Sequence, residues 1–153
     1  DLQLFALEKQ RFMIASSSGP AHASFLFDIP VIVTNNLFWE SFTWSYKDSI
    51  LLKMIRDKKS NNILNKSEYM NLRESGKLTI EKIDNNFEII DNSNEEIRTA
   101  VKNKLIELES GNYKPRNSQR NFRDSFDKSF YLHSTHSKID DSFYRKYKRY
   151  FEN

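Results

Sequence analysis

A short polar run ending in glycine carries the clearest chemical signal in the sequence. Ser16, Ser17, Ser18 and Gly19 follow a compact apolar segment, and Pro20 opens a stretch of helix-favouring residues. A turn of this kind joins the carboxyl end of a strand to the amino end of a helix, where backbone N–H groups and the helix dipole attract phosphate. Serine hydroxyls add neutral donors, and glycine allows a diphosphate to approach the backbone closely. The pattern predicts a phosphate site, although the same residues also make a good turn and helix cap without a ligand.

A few charged residues could take part in chemistry beside this turn. His22 falls in the first turn of the helix, where it could donate to a phosphate or simply lie partly exposed. Glu40 and Asp48 flank an aromatic segment and could contact ribose hydroxyls or act as a base, although isolated carboxylates are usually solvated. Lys53 or Arg56 could neutralise a diphosphate leaving group, with a surface position favoured for Arg56.

The sequence offers no recognisable metal site. Its histidines are His22, His133 and His136, it has no cysteine, and no Asp-x-Asp motif occurs. We therefore expect neither a metal nor a cofactor, with the helix dipole and neutral donors balancing the charge of a phosphate in place of a metal ion. The absence of cysteine favours a reducing compartment, and no apolar run approaches the roughly 20 residues of a membrane span.

The elements around the polar turn predict the fold class. Residues 12–15 and 31–34 are typical of buried strands, and residues 20–27 favour a helix between them. A compact strand–helix–strand unit has parallel strands, so we expect an α/β protein. Residues 35–48 predict a long packed loop, and residues 49–55 a further strand.

The rest of the chain predicts mainly helices, after a first short helix over residues 2–9. A helix capped by Ser67 should run through Arg73 and end at Gly76, followed by a strand over residues 87–90. Acidic residues and helical apolar spacing after residue 92 indicate a longer helix to about residue 108. Two aromatic stripes at four-residue spacing then indicate helices in the tail, consisting of Phe122, Phe126 and Phe130, and of Phe143, Tyr147 and Phe151.

Charge and aromatic content separate the tail from the rest. A chain of 153 residues can bury a sizeable core, and we divide it into a domain over residues 1–111 and a helical tail over residues 112–153. The tail holds 10 basic and 5 acidic residues and 10 of the 21 aromatic residues. Nucleic-acid binding through this basic aromatic segment is an alternative, but helical spacing favours packing of the rings in a core.

Several motifs together resemble a family of putative bacterial glycosyltransferases with the GT-B fold, including the heptosyltransferase-like group. The signature is Ser-Gly-Pro-x-His followed by x-Pro-Val. It occurs here as Ser18-Gly19-Pro20-Ala21-His22 and Ile29-Pro30-Val31, and it is followed in the family's order by Thr34-Asn35, Asp48 to Lys53, Ser67-Glu68-Tyr69, Asn92 to Ile97, and Ile139 to Phe143. The resemblance spans nearly the whole chain.

The resemblance implies a function. The chain would be the carboxyl-terminal, Rossmann-like half of a glycosyltransferase that moves a sugar from a nucleotide sugar to a glycan or glycoconjugate acceptor. Its diphosphate site would comprise Ser16, Ser17, Ser18, Gly19, Pro20, His22 and Asn35, with Glu40 and Lys53 as catalytic candidates. A non-catalytic sugar-nucleotide-binding protein of the same fold is the alternative.

The resemblance also implies that most of the acceptor site, and the catalytic base, lie in an amino-terminal domain. We therefore expect the present chain to be inactive alone. Its expected location is the cytoplasm, with peripheral association at the inner membrane as a further option. The last helix would cross back towards the other domain, leaving some rings of residues 143–151 in an exposed patch.

Overall fold

The computed structural model describes residues 5, 8–17, 19–40, 43, 45–79, 83–130, 133, 136 and 138–152. Within these residues the chain forms a three-stranded parallel sheet, a two-stranded antiparallel sheet and five α-helices. The elements in chain order are β1 (Met13–Ala15), α1 (Gly19–Ala23), a 3₁₀ turn (Ser24–Phe27), β2 (Val31–Asn36), β3 (Ser49–Leu52), β4 (Met54–Asp57), α2 (Lys66–Glu74), β5 (Phe87–Ile90), α3 (Asn94–Ser110), α4 (Asn117–Asp124) and α5 (Asp141–Phe151).

The parallel sheet has the order β1-β2-β3. Met13 pairs with Val31, and Val33 pairs with Ile50, both in parallel register. The predicted strand–helix–strand unit and the α/β class are confirmed. A fourth position beside β3 is filled by Ile139, which forms a parallel bridge with Ile50. There the N–H of Ile50 donates to the carbonyl of Lys138 at 2.9 Å, and the N–H of Asp140 donates to the carbonyl of Ile50 at 2.9 Å.

The prediction of one strand over residues 49–55 is wrong. The chain leaves the parallel sheet at Leu52, and β4 then pairs antiparallel with β5 in a second sheet. Lys53 forms the break because its N–H donates to the carbonyl of Asn36 at 2.7 Å, and its own carbonyl accepts from Trp39 Nε1 at 2.9 Å. The backbone N–H of Lys53 is therefore bonded to β2, and its carbonyl is bonded to the loop after β2.

Helix caps explain where α2 and α3 begin. Asn65, rather than Ser67, caps α2, since its side chain accepts from the N–H of Glu68 while Glu68 accepts from the N–H of Asn65. Ser93 and Glu96 form the same reciprocal pair at the start of α3, which confirms the longer helix. The predicted helix over residues 2–9 lies mostly outside the described residues. None of the helices formed by the described residues is long and apolar enough to cross a membrane.

The aromatic residues of the tail complete the hydrophobic core. Phe122, Phe126, Phe143 and Phe151 are buried in one cluster with the core strands, which confirms their packing role. The prediction that Phe122, Phe126 and Phe130 lie along one helix is wrong, because α4 ends at Asp124, before the second and third of these rings. The tail thus shares one core with the preceding residues, and the division at residue 111 stays a prediction.

The expected exposed aromatic patch on α5 is wrong. Phe143, Tyr144 and Phe151 are buried, and Tyr147 is half-buried with its hydroxyl bonded to Glu96 at 2.8 Å. Tyr150 is also half-buried, packed against the core. Helix α5 therefore finds its partners within the described chain, in α3, α4 and the loop after β2.

Candidate functional site

The polar turn lies at the carboxyl end of β1, as the sequence predicts. Ser16 and Ser17 are exposed between β1 and α1, and Gly19 is the first residue of α1. Ser18 and the side chain of Pro20 fall outside what the structure describes. In open α/β sheets, ligands bind outside the carboxyl ends of the strands. The described part of the turn therefore occupies the position where a ligand of this fold class is expected.

Gly19 has no evident structural reason to be glycine. Its φ angle is not positive, and a Cβ built on it would meet no atom of the described chain within 4 Å. Because neither backbone strain nor packing requires the missing side chain, the open space above Gly19 is available to a ligand.

His22 and Asn35 lie in different surroundings. His22 lies in α1 and is exposed. Asn35 lies near the end of β2 with a positive φ of 54°, which asparagine tolerates better than most residues. It forms two reciprocal bonds with Asn92, in which the N–H of Asn35 donates to Asn92 Oδ1 at 2.6 Å and the N–H of Asn92 donates to Asn35 Oδ1 at 2.7 Å. Asn35 thus ties the end of β2 to the residues before α3, a structural use that the sequence did not reveal.

The structure brings three of the predicted residues to one edge of the sheet. Ser16 follows β1, Asn35 is the second-last residue of β2, and Lys53 follows β3, so all three lie at the carboxyl edge. Lys53 pairs with Asp91 at 2.8 Å and keeps about a quarter of its side chain exposed. This places one cation at the edge where the polar turn lies.

Glu40 is engaged elsewhere in a half-buried cluster. Its carboxylate accepts from Tyr69 Oη at 2.8 Å and from Arg73 Nε at 2.9 Å. Tyr69 in turn accepts from the N–H of Trp39 at 3.0 Å, and burial raises the pKa of its hydroxyl. The guanidinium of Arg73 stacks over Phe38, 3.9 Å from the ring centroid. Both oxygens of Glu40 therefore hold the loop after β2 against α2, and its catalytic role stays a prediction.

Asp48 lies at the opposite edge of the sheet from the polar turn. It is buried, and its carboxylate accepts from the N–H of Val31 at 2.8 Å and from the N–H of Ser45 at 3.2 Å. Burial raises its pKa, although the two backbone hydrogen bonds oppose this effect. Since Val31 begins β2, Asp48 marks the amino edge and fixes the start of that strand.

Two fully buried lysines near Asp48 were not predicted from the sequence. Lys104 and Lys138 expose 1% and 0% of their side chains, and both bond to Glu107, at 2.7 and 2.8 Å respectively. Lys104 also donates to the carbonyl of Lys47. Burial lowers the pKa of Lys104, while the charge of Glu107 opposes that shift. The only sequence signal was the three-residue spacing of Lys104 and Glu107, which is equally common on exposed helices.

The described residues contain no group of three or more side chains of the types that could hold a metal ion. His133 lies with its Nε2 3.0 Å from the carbonyl of Phe126, and His136 meets the ring of Tyr46 edge-on.

At the carboxyl edge, the arrangement offers exposed hydroxyls, an open glycine and a nearby lysine, which suit an anionic ligand. Comparisons of the chain with protein-family models, with curated proteins and with solved structures found no match.

Proposed function

We propose that this chain is the nucleotide-sugar-binding half of a glycosyltransferase, with the diphosphate held at the turn of Ser16, Ser17, Ser18 and Gly19. The observation that carries the proposal is the open space at Gly19, at the carboxyl end of β1 in a parallel strand–helix–strand unit. A glycine that the fold does not require, between serines at this edge, is what close approach of a diphosphate would need.

The positions of other residues support the same proposal. His22 is exposed on α1, so its ring is accessible on the helix that follows the turn. Lys53 lies at the carboxyl end of the sheet, paired with Asp91 at 2.8 Å, and a diphosphate that displaces Asp91 would gain its positive charge. Pro20 is the second residue of α1 and lies in its first turn, which leaves one fewer backbone N–H without a partner there. We propose a Rossmann-like arrangement for the complete binding domain.

We further propose that the acceptor site and the catalytic base lie in a second domain. Glu40 supports this, because its two oxygens are occupied by Tyr69 and Arg73. Both oxygens of this carboxylate already accept hydrogen bonds from side chains of the fold. The chain is then expected to bind a nucleotide sugar and to show no transfer activity alone. A non-catalytic donor-binding protein would bind in the same way, and restoring the second domain separates the two by transfer activity.

The binding proposal predicts that Gly19→Val abolishes binding of nucleoside diphosphates without unfolding the protein. The branched side chain would enter the space assigned to the phosphates, whereas the described chain leaves that space open. Calorimetric titration with a panel of nucleoside diphosphates measures the affinity, and thermal unfolding checks the fold.

Gly19→Ala is the graded comparison and should lose less affinity; because Gly19 is the first residue of α1 and not in its interior, the stability should stay within about 0.5 kcal/mol of the parent. Nucleosides without phosphate serve as control ligands and should bind both variants as they bind the parent. Unchanged diphosphate affinity in folded Gly19→Val would rule out this site.

A further inference from the structure

We infer that Arg116 and Arg145 form a second anion site, which takes a phosphate monoester. The two side chains come from separate segments of the chain and meet at one carboxylate. Arg116 immediately precedes α4, and Arg145 lies in the second turn of α5. The site is separate from the turn of residues 16–19 and does not depend on the proposed function.

The two guanidinium groups bond to a single oxygen atom. Arg116 Nη1 lies 2.6 Å from Asp141 Oδ2, and Arg145 Nη2 lies 3.0 Å from the same oxygen. Ser118 Oγ donates to the other oxygen of Asp141. The carboxylate is 7% exposed, whereas the side chains of Arg116 and Arg145 are 59% and 67% exposed. A buried carboxylate thus holds two exposed guanidinium groups side by side.

The charges at this point do not cancel. Burial alone would raise the pKa of Asp141, but the hydrogen bonds from Ser118 and Arg116 and the guanidinium charges outweigh burial and hold the pKa below its ordinary value. Asp141 is therefore ionised at neutral pH and supplies one negative charge against two positive ones. Arg120 and Arg149 lie one turn further along α4 and α5 and are also exposed.

Other exposed ion pairs in the described chain leave no such excess of positive charge. Lys9 with Glu8, Arg56 with Glu88, and Arg98 with Glu95 each join one cation to one carboxylate. Such pairs leave little net charge to attract a ligand. The pair on Asp141 is held together against the mutual repulsion of two cations, so its geometry is already formed before an anion arrives.

Phosphate matches the chemistry of the pair. Each guanidinium presents a planar set of five N–H donors suited to phosphate oxygens. One N–H of each arginine is used on Asp141. The remaining donors of the two exposed groups can converge on a phosphate dianion, which accepts charge-assisted hydrogen bonds from both.

A phosphate bound by Arg116 and Arg145 would lie far from a diphosphate bound at the turn of residues 16–19. Asp141 follows Ile139, which continues the sheet beside β3 in parallel register, so the arginine pair lies at the same carboxyl edge. β1 and Ile139 occupy opposite sides of the four-position sheet, which at the usual strand spacing separates them by about 14 Å. The two phosphates of one diphosphate cannot span that distance, so the second site takes a phosphate from another group.

Calorimetric titration with inorganic phosphate in the Gly19→Val background tests the inference, because that background removes binding at the polar turn. We expect saturable binding of phosphate, weakened about tenfold or more in Arg116→Gln and in Arg145→Gln, the loss expected for one charge-assisted hydrogen bond. Arg98→Gln, which breaks a one-to-one exposed pair, is the matched control and should leave the affinity unchanged. Absence of saturable binding, or equal affinity in all three variants, would overturn the site.

Each single variant leaves Asp141 with one arginine, so the fold should survive, and thermal unfolding checks this. Should a variant fail to fold, the Nε–Hε resonances of Arg116 and Arg145 in the parent protein provide a second test. They should shift on addition of phosphate, and constant resonances would refute the site. Failure of nucleoside diphosphates to bind would reject the proposed function and leave this result unaffected.

Vesicle flotation identifies the source of the phosphate. Binding to vesicles that contain phosphatidic acid, lost in the two arginine variants and absent with phosphatidylcholine, would support the site and assign it to a lipid head group. Binding of inorganic phosphate without vesicle binding would support the site and assign it to a soluble phosphate ester.

Discussion

Replacing Phe151 with alanine is expected to lower the free energy of unfolding by about 3 to 5 kcal/mol, the range for truncating a fully buried phenylalanine. Phe151 is 0% exposed and lies among the rings of Trp39, Phe122, Phe143 and Tyr144. Its centroid is 5.1 Å from Trp39 and 5.0 Å from Phe122, both edge-on, and 5.9 Å from Tyr144 in a stacked arrangement. The alanine variant would leave a cavity that these large rings cannot easily fill. Chemical denaturation followed by tryptophan fluorescence measures the loss.

Ile106→Ala is the control for this change, since Ile106 lies on α3 and is 59% exposed. Its effect should stay within about 0.5 kcal/mol, as for most surface substitutions. A Phe151→Ala variant as stable as the parent would mean that α5 does not pack on the core as described. The rings of the tail would then become available for other contacts, including nucleic-acid bases.

The second large effect is expected at Glu107. Glu107→Ala should destabilise the protein by about 3 to 5 kcal/mol at pH 7, because it leaves the buried ammonium groups of Lys104 and Lys138 without their carboxylate. Glu107→Gln keeps an acceptor but removes the charge, so its loss should be smaller. Glu109→Ala, on the same helix and exposed, is the matched control and should change the stability by no more than about 0.5 kcal/mol.

The pH dependence of the Glu107→Ala effect follows from Lys104. Burial lowers the pKa of Lys104 below its ordinary value of 10.5, and loss of the opposing carboxylate should lower it further. A lysine whose folded pKa lies below its unfolded pKa destabilises the fold at lower pH, and this cost disappears as the pH rises past the unfolded value. The difference in stability between variant and parent should therefore shrink between neutral pH and about pH 10.5. A difference that stays constant or grows would contradict the ionic explanation.

Local patterns predicted the elements that depend on neighbouring residues. The parallel pair of β1 and β2, the capped helix α3 and the aromatic stripe of α5 all follow from residues close together in the chain. The start of α2 was also readable, since Asn65 and Glu68 have the spacing of a capping box that Ser67 and Met70 lack. The predicted start is wrong by two residues, because Ser67 was chosen as the cap over Asn65.

The remaining features depend on partners distant in the chain. The break at Lys53 needs Asn36 and Trp39, and no local breaker residue marks it. The polar turn and its open glycine were found from the sequence, whereas Asn92 as the partner of Asn35, and Tyr69 and Arg73 as the partners of Glu40, were not. Spacing alone cannot show which carboxylate a buried lysine will meet.

The bridge between Ile50 and Ile139 has a consequence for the protein while it is being synthesised. β3 emerges from the ribosome long before Ile139, so its outer backbone groups have no partner from this bridge during that interval. An open strand flank of apolar residues invites pairing with another nascent chain, and contacts between distant residues slow folding. A growing chain in which residues 138–140 have not yet been made therefore exposes this flank of β3.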